Sequence, residues 1–284
     1  MLRTLNDAIR VLTTNQHFVG LARQLRLAAP LKSLEYRLRG PSNGIIGHQI
    51  CGVEVVFAAP DATEFRTLES CYAEEADFTG VLAGKLCPGA IFYDVGSNVG
   101  QFLILAAKLV GEQGRVVGFE PHPANHRRLL TNVALNQLVN VRVFPLALTE
   151  RSAEIPMYGE RGTATLMARA AAIHPSTELH IVRAMRGDDL RVEAQLPIPK
   201  AVKIDVEGAE WGVLRGLKET LSSPLCELLC LEIHPRFVPS HISTDMVLAL
   251  VRSFGFKRIE TLPRGTEIHL IAEKEKAPER CARA

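Results

Sequence analysis

The sequence is sparing with cysteine. Six cysteines in 284 residues stand at positions 51, 71, 87, 226, 230 and 281. No two form a C-x-x-C pair, which excludes a zinc ribbon or a dithiol redox motif. Cys226 and Cys230 fall in an apolar strand pattern and read as small buried hydrophobes. Long apolar runs are missing too: none reaches the roughly 18 residues expected of a transmembrane helix. The N-terminal charges lie too close together for the apolar core of a secretion signal, so a reducing cytoplasm is the expected compartment. Net charge is only +2, which gives no case for nucleic acid as a partner. Two phosphate-binding loops are absent: no Gly-Lys-Ser/Thr closes a Walker pattern, and no G-x-G-x-x-G fingerprint occurs. With 47% apolar and 23% charged residues, the composition is that of an ordinary soluble globular chain. Its length suits one large α/β domain or two small ones. Nothing in the composition fixes the oligomeric state.

What is present is organised around residues 91–100, IFYDVGSNVG. Ile91, Phe92 and Tyr93 suit a buried strand. Asp94 stands at the strand end, and Gly96, Asn98 and Gly100 follow at alternate positions. The apolar run QFLILAAKLV then predicts a helix over 99–110. A glycine-containing turn of this kind lets a ligand approach the backbone, and it aims N–H groups of the helix start at that ligand. The next strand, RVVGFE, ends in Glu120. A carboxylate there suits a ribose diol. Glu120 therefore points to a nucleoside, and the missing third glycine points to a ligand without a diphosphate. S-adenosylmethionine meets both conditions. The bland alternative is an ordinary strand-to-helix turn beside an incidental acid.

Taken in order, residues 1–40 read as helical. Arg3, Arg10, Arg23, Arg26, Lys32, Arg37 and Arg39 face only Asp7 and Glu35. Such a basic segment suits an acidic substrate, a peripheral contact with a membrane surface or a partner chain. It equally suits a solvated helix face. Residues 44–59 predict a hairpin turning at Cys51–Gly52, with His48 structural. Residues 61–87 predict one helix, stopped by Pro88–Gly89. From there strands and helices alternate: strand 91–95, helix 99–110, strand 115–120, helix 124–136, strand 141–148. This predicts a parallel sheet with right-handed crossovers. Ligands bind such sheets beyond the carboxyl ends of the strands, where Asp94, Glu120, Ala147 and Asp205 converge. The punctuated stretch 150–199 breaks the alternation, with short strands expected in IPMY, TATLMARA and LHIVRAMR. It reads as a substrate-facing extension or lid, or as a decorative hairpin.

The second chemical centre is AVKIDVEGAEWGVLRGL. A strand over 201–206 leads to a helix starting at Gly208. Strand alternation puts Lys203, Asp205 and Glu207 on one side. A lysine inside a buried strand needs a partner, and Asp205 and Glu207 are the neighbours available. Glu210 suits a helix N-terminus. The strand 226–233 then ends at His234, where a neutral imidazole could take a hydroxyl proton or simply bind backbone. A helix over 243–254 and two strands, FKRIETL and EIHLIAEK, bring the sheet to seven strands. Residues 276–284 read as a frayed tail.

FYDVGSNVG, GFEPHPANHRRLLTNVALN, VKIDVEGAEWGVLRGL and LEIHP together resemble the FkbM-type branch of class I S-adenosylmethionine-dependent methyltransferases. The resemblance spans residues 69–272. Ser97 departs from the alanine usual there, and the first forty residues carry no resemblance. The resemblance implies a Rossmann-like α/β fold whose last strand is antiparallel. It implies a catalytic domain over 89–275, preceded over 1–88 by a helical and hairpin extension. It implies S-adenosylmethionine held by Asp94, Gly96, Ser97, Asn98, Gly100, Gln101, Glu120, Pro121, Ala147 and Asp205, with Glu69 and Tyr72 lying over it. It implies O-methylation of a small molecule, a sugar or a glycosylated or lipid-linked metabolite. Asp205 and His234 are then the base candidates, with Lys203 or Glu207 orienting them. Two alternatives stay open. One is a metal-assisted reaction with Mg²⁺ on Asp205 and Glu232. The other is a binding module that holds the cofactor and does no chemistry.

Overall fold

The computed structural model describes residues 28–159 and 179–275. The chain divides into two compact units, one ending at Ala76 and the other beginning at Asp77. Most of the basic N-terminal segment, the TATLMARA stretch and the tail lie outside the described residues. No described helix is long and apolar enough to cross a membrane.

The first unit contains helix α1 (Ala28–Arg39), the hairpin β1 (Ile45–Ile50) and β2 (Val53–Ala58), and helix α2 (Ala62–Glu74). The hairpin turns at Cys51 and Gly52, which both adopt left-handed φ, 51° and 85°, as a two-residue turn between twisted strands requires. Asp61 caps α2 by accepting from the N–H groups of Thr63 and Glu64. Phe57, Phe65, Leu68 and Tyr72 are buried. The helix predicted over 61–87 is two helices. α2 stops where the Glu75 N–H bonds back to the Cys71 carbonyl, and α3 (Ala76–Lys85) starts separately.

In the second unit the strands are β3 (Ile91–Val95), β4 (Arg115–Phe119), β5 (Val141–Phe144), β9 (Ala201–Ile204), β10 (Leu228–Ile233), β11 (Arg258–Arg264) and β12 (Glu267–Glu273). They form one seven-stranded sheet in the order β11-β12-β10-β9-β3-β4-β5. β12 runs antiparallel to both of its neighbours, and the other pairings are parallel. Strand order reverses between β3 and β9, because β4 and β5 extend one way and β10 the other. Helix α4 (Gln101–Val110) follows β3, and its residues Phe102 to Ala107 are all buried. A helix apolar on every side has to lie within a core. Helix α5 (Pro123–Leu135) follows β4 with Pro123 in its first turn, where the missing N–H costs nothing.

The strand predicted over 141–148 is broken. Pro145 lacks the N–H that would continue the ladder. The chain leaves the large sheet after Phe144, and β6 (Ala147–Thr149) joins a second sheet with β7 (Ala153–Tyr158) and β8 (Leu179–Arg186), in the order β6-β8-β7. The strands expected in IPMY and LHIVRAMR are thus present, and Pro156 lies on the edge strand β7, where a proline is tolerated. Helices α6 (Gly187–Glu193), α7 (Glu210–Gly216), α8 (Lys218–Ser222) and α9 (Thr244–Ser253) complete the unit. Buried Asp188 caps α8 by accepting from the N–H groups of Glu219 and Thr220 at 2.7 and 2.9 Å.

Candidate active site

Two turns at the carboxyl edge of the sheet build the site. In the turn after β3, the Gly96 and Ser97 N–H groups donate to the Phe119 carbonyl at 3.0 and 3.1 Å. The Asn98 N–H donates to Glu120 Oε2 at 2.8 Å, and the Gly100 N–H donates to the Ser97 carbonyl. These four N–H groups are taken up within the protein. The turn therefore does not offer these N–H groups to a ligand, as its place before a helix suggests it would. Gly96 is required for another reason. A Cβ there would stand 1.8 Å from the Asp205 carbonyl oxygen, and its φ is +80°. The glycine lets the turn after β3 press against the chain leaving β9. Gly100 has a φ of +98°, and a Cβ there would meet Leu129 at 2.5 Å. Its smallness serves packing between α4 and α5.

A pocket opens between these turns. It is lined by Val95, Gly96, Asn98, Phe119, Glu120, Pro121, Asn125, Leu146, Ala147, Leu148, Met157, Asp205, Val206 and Glu207. Of the residues expected at a cofactor site, Gly96, Asn98, Glu120, Pro121, Ala147 and Asp205 line it. Ser97 lies buried beneath, tying the β3 and β4 ends together through its hydroxyl, which donates to the Asp94 carbonyl and accepts from the Phe119 N–H. Asp94 is buried behind the wall, and Gln101 opens α4. Glu69 and Tyr72 belong to the first unit, where Glu69 pairs with Arg39 and the Tyr72 ring packs on His48 and Phe57. Asn125, Leu146, Leu148 and Met157 were not anticipated from sequence. For Met157 the only signal was the substrate-facing reading of the 150–199 stretch.

The wall is rich in acceptors. Glu120 is buried, and its carboxylate takes N–H groups from both Asn98 and His122. Burial nevertheless pushes its carboxyl up to about 7, against those hydrogen bonds. Asn98 Oδ1 and both Asp94 carboxylate oxygens are buried without a hydrogen-bond partner. Burial pushes Asp94 up to about 6, opposed by the Lys203 ammonium, which stands 3.9 Å away. At the pocket itself, a ligand offering a diol would complement Glu120 and Asn98.

The second centre adjoins the first. Lys203 pairs with Asp205 at 3.1 Å as expected, and with Asp94 opposite it on β3. Burial would raise the Asp205 carboxyl, but Lys203 and His234 outweigh it and hold it below its ordinary value. His234, 4% exposed, donates through Nδ1 to Glu210 Oε1 at 2.7 Å. Its Nε2 lies 3.8 Å from Asp205 Oδ1 and 3.6 Å from Glu207 Oε2. Burial would lower its pKa, but Glu210, Asp205 and Glu207 together push it up to about 10. These carboxylates favour the protonated ring. That environment works against the neutral imidazole expected of a base at this position. Burial also pushes Glu207 up to about 7, and Glu207, unlike His234, lines the pocket. Glu210 was read as a helix-start preference. It does stand in the first turn of α7, and it is also a fully buried anchor, accepting from the Gly208 N–H at 2.8 Å as well as from His234. Glu232, the expected second metal ligand, is engaged elsewhere, 3.3 Å from both His269 and Arg264.

The profile of the Methyltransferase FkbM domain matches residues 94–258, a span that begins at Asp94 and contains both centres. The chain belongs to the FkbM methyltransferase family. It is a methyltransferase by that membership. Among its curated relatives, the hexuronic acid methyltransferase AglP of Haloferax volcanii is 30% identical over 198 residues, covering 69% of this chain and 77% of that protein. The AMB antimetabolite synthetase AmbE of Pseudomonas aeruginosa is 26% identical over 260 residues, 78% of this chain but only 12% of AmbE. A solved FkbM methyltransferase from Methylobacillus flagellatus KT aligns with a TM-score of 0.44 at 15% identity, over 74% of this chain and 54% of that one. A SAM-dependent methyltransferase from Aquifex aeolicus aligns with a TM-score of 0.39 at 16% identity, over 70% and 88%.

Proposed function

We propose that this FkbM-family enzyme moves a methyl group from S-adenosylmethionine to a hydroxyl oxygen of a small molecule, a sugar or a glycosylated or lipid-linked metabolite. The observation that carries the reading is the meeting of two carboxylate-bearing strand ends at one pocket: Glu120 after β4, and Asp205 with Glu207 after β9. Each end has a separate task. Glu120, fixed by two backbone N–H groups, accepts from the ribose hydroxyls of the cofactor. Leu146, Leu148 and Met157 offer apolar surface to its adenine. The bound sulfonium supplies a methyl group already activated for attack.

The chain's remaining work is to hold the acceptor in line and receive its proton. Asp205 and Glu207 are the anionic groups on the acceptor side. Asp205, kept ionised by Lys203, orients the hydroxyl. Glu207, with its carboxyl near neutrality, is poised to take a proton. His234 behind them balances their charge. The sugar class is supported by the hexuronic acid methyltransferase relative and is this chain's own only by proposal.

The test is incubation of the purified enzyme with methyl-labelled S-adenosylmethionine and panels of free, lipid-linked and glycosylated sugars, uronic acids included. The expected result is label on an oxygen of one class of sugar. Label appearing only on nitrogen or carbon acceptors, or on macromolecules, would overturn the assignment.

A further inference from the structure

The cluster on the acceptor side has a geometry that proton transfer does not need. Asp205, Glu207 and His234 each offer one ligand atom, and those atoms all lie within 4.8 Å of one another. The 3.8 and 3.6 Å separations from His234 Nε2 to the two carboxylates are longer than hydrogen bonds. So a nitrogen on a side chain 4% exposed faces two carboxylates and is bonded to neither. Its other nitrogen is fixed by Glu210 at 2.7 Å. A carboxylate on the far side of the ring is how metal-bound histidines are held, because it selects the tautomer whose lone pair faces the ion. Asp205 is divided in the same way. Lys203 holds Oδ2 at 3.1 Å, while Oδ1 is the atom nearest His234. Glu207 reaches the cluster from a left-handed backbone, φ 52°, a conformation that a non-glycine residue adopts at some cost.

We infer that Asp205 Oδ1, Glu207 Oε2 and His234 Nε2 hold a divalent cation of the Mg²⁺ or Mn²⁺ class, with Glu210 as the outer support of the histidine. Carboxylate-dominated ligand sets suit these hard ions. Three protein ligands leave further positions open, as in sites where a metal meets substrate. Two neighbouring oxygens of a sugar, a vicinal diol or a hydroxyl beside a carboxylate, would fill them. The ion would then select acceptors that can chelate, and it would position one hydroxyl toward the cofactor pocket. With the ion bound, Glu207 would serve as a ligand in place of proton acceptor, and the metal would lower the pKa of the coordinated hydroxyl; its proton leaves to solvent water, and the oxygen takes the methyl as the carbon–sulfur bond breaks. This use of the ion rests on the sugar O-methylation proposed above; the binding of the ion does not.

The test therefore begins without cofactor or sugar. The full chain, stripped with a chelator, is titrated with Mn²⁺ and followed by electron paramagnetic resonance. The expected result is one bound Mn²⁺ per chain. Glu207→Gln and Asp205→Asn should abolish that binding, and Glu210→Gln should weaken it about 10- to 100-fold. Circular dichroism checks that each variant folds. Glu207 is half-buried in a turn, so its variant carries the test if the buried positions do not tolerate change. Absence of binding to the folded wild-type chain at millimolar Mn²⁺, or binding untouched by Glu207→Gln, overturns the site. Methyl transfer to a sugar that persists undiminished in the stripped enzyme overturns its role. Mn²⁺ binding that obeys the substitutions, without transfer to any sugar, supports the site and overturns the sugar reading instead.

Discussion

Asn98 donates its backbone N–H to Glu120 Oε2 at 2.8 Å. The bond joins the turn after β3 to the end of β4, and it aims one carboxylate before any ligand arrives. That carboxylate sits in an environment that disfavours its charge, since burial outweighs the two N–H groups it accepts.

Two consequences follow for Glu120. Replacing it with alanine removes two charge-assisted hydrogen bonds to a ribose, worth on the order of 3 kcal/mol together. Calorimetry should show S-adenosylhomocysteine bound about a hundredfold more weakly. The second consequence is a pH dependence. The folded pKa of about 7 lies above the ordinary 4.5. Between those values the folded state holds a proton that the unfolded state has lost. The contribution of Glu120 to stability is thus complete below about 4.5 and is lost as pH rises through about 7, a change of roughly 3 kcal/mol. Ligand affinity runs the other way, since the ionised form is the better acceptor. S-adenosylhomocysteine should bind more weakly as pH falls below about 7. Glu120→Gln should flatten both profiles. Urea unfolding and calorimetry at several pH values would measure them, and profiles identical to wild type would remove Glu120 from both roles.

Much of this site is legible in the sequence because its key residues sit at strand ends. Alternating strand and helix patterns place Asp94, Glu120 and Asp205 at one edge, whatever the side chains do. The seven-stranded sheet and its antiparallel last strand agree with the resemblance read from the motifs. What could not be read depends on contacts distant in sequence. Lys203 has Asp94 as a second partner because β3 and β9 are in register. Asn125 and Met157 reach the pocket only through the packing of α5 and the small sheet. Glu210 looks like a helix-start acid until His234 arrives from the next strand. The break at Pro145 has its mark in the sequence, a residue without an N–H for the ladder, but the apolar residues on both sides of it continue the strand pattern.

Gly100 separates packing from binding. On sequence grounds alone, a side chain at Gly100 would crowd the methionine end of the ligand or the helix start and leave the protein folded. In the structure its Cβ would meet Leu129 at 2.5 Å, from a φ of +98°. Gly100→Val should therefore destabilise the protein by about 2–5 kcal/mol, from overpacking together with backbone strain. Thermal melting of the ligand-free variant would show it. A variant that melts like wild type and only loses cofactor affinity would restore the ligand-crowding explanation.

Glu207 and Glu210 stand three residues apart and have opposite relations to the pocket. Glu207 lines it, while Glu210 is fully buried behind His234. In either proposed role, as proton acceptor or as ion ligand, Glu207 would act on the acceptor alone. Glu207→Gln should lower kcat by about 10²–10⁴ and leave S-adenosylhomocysteine affinity within a few-fold of wild type. Glu210 lies outside the pocket lining, and its effect would pass through His234 and the Gly208 N–H. Glu210→Gln keeps the shape and one acceptor but removes the charge that holds the ring protonated. The His234 pKa should move down from about 10, which nuclear magnetic resonance of the ring would follow directly. Its loss of turnover should be smaller than that of Glu207→Gln. Glu210→Asp, too short to reach both partners, should be worse than Glu210→Gln if geometry dominates and better if charge dominates. An unmoved His234 titration in the folded Glu210→Gln protein would contradict the anchoring role, because a residue that only fills space would leave that titration where it was.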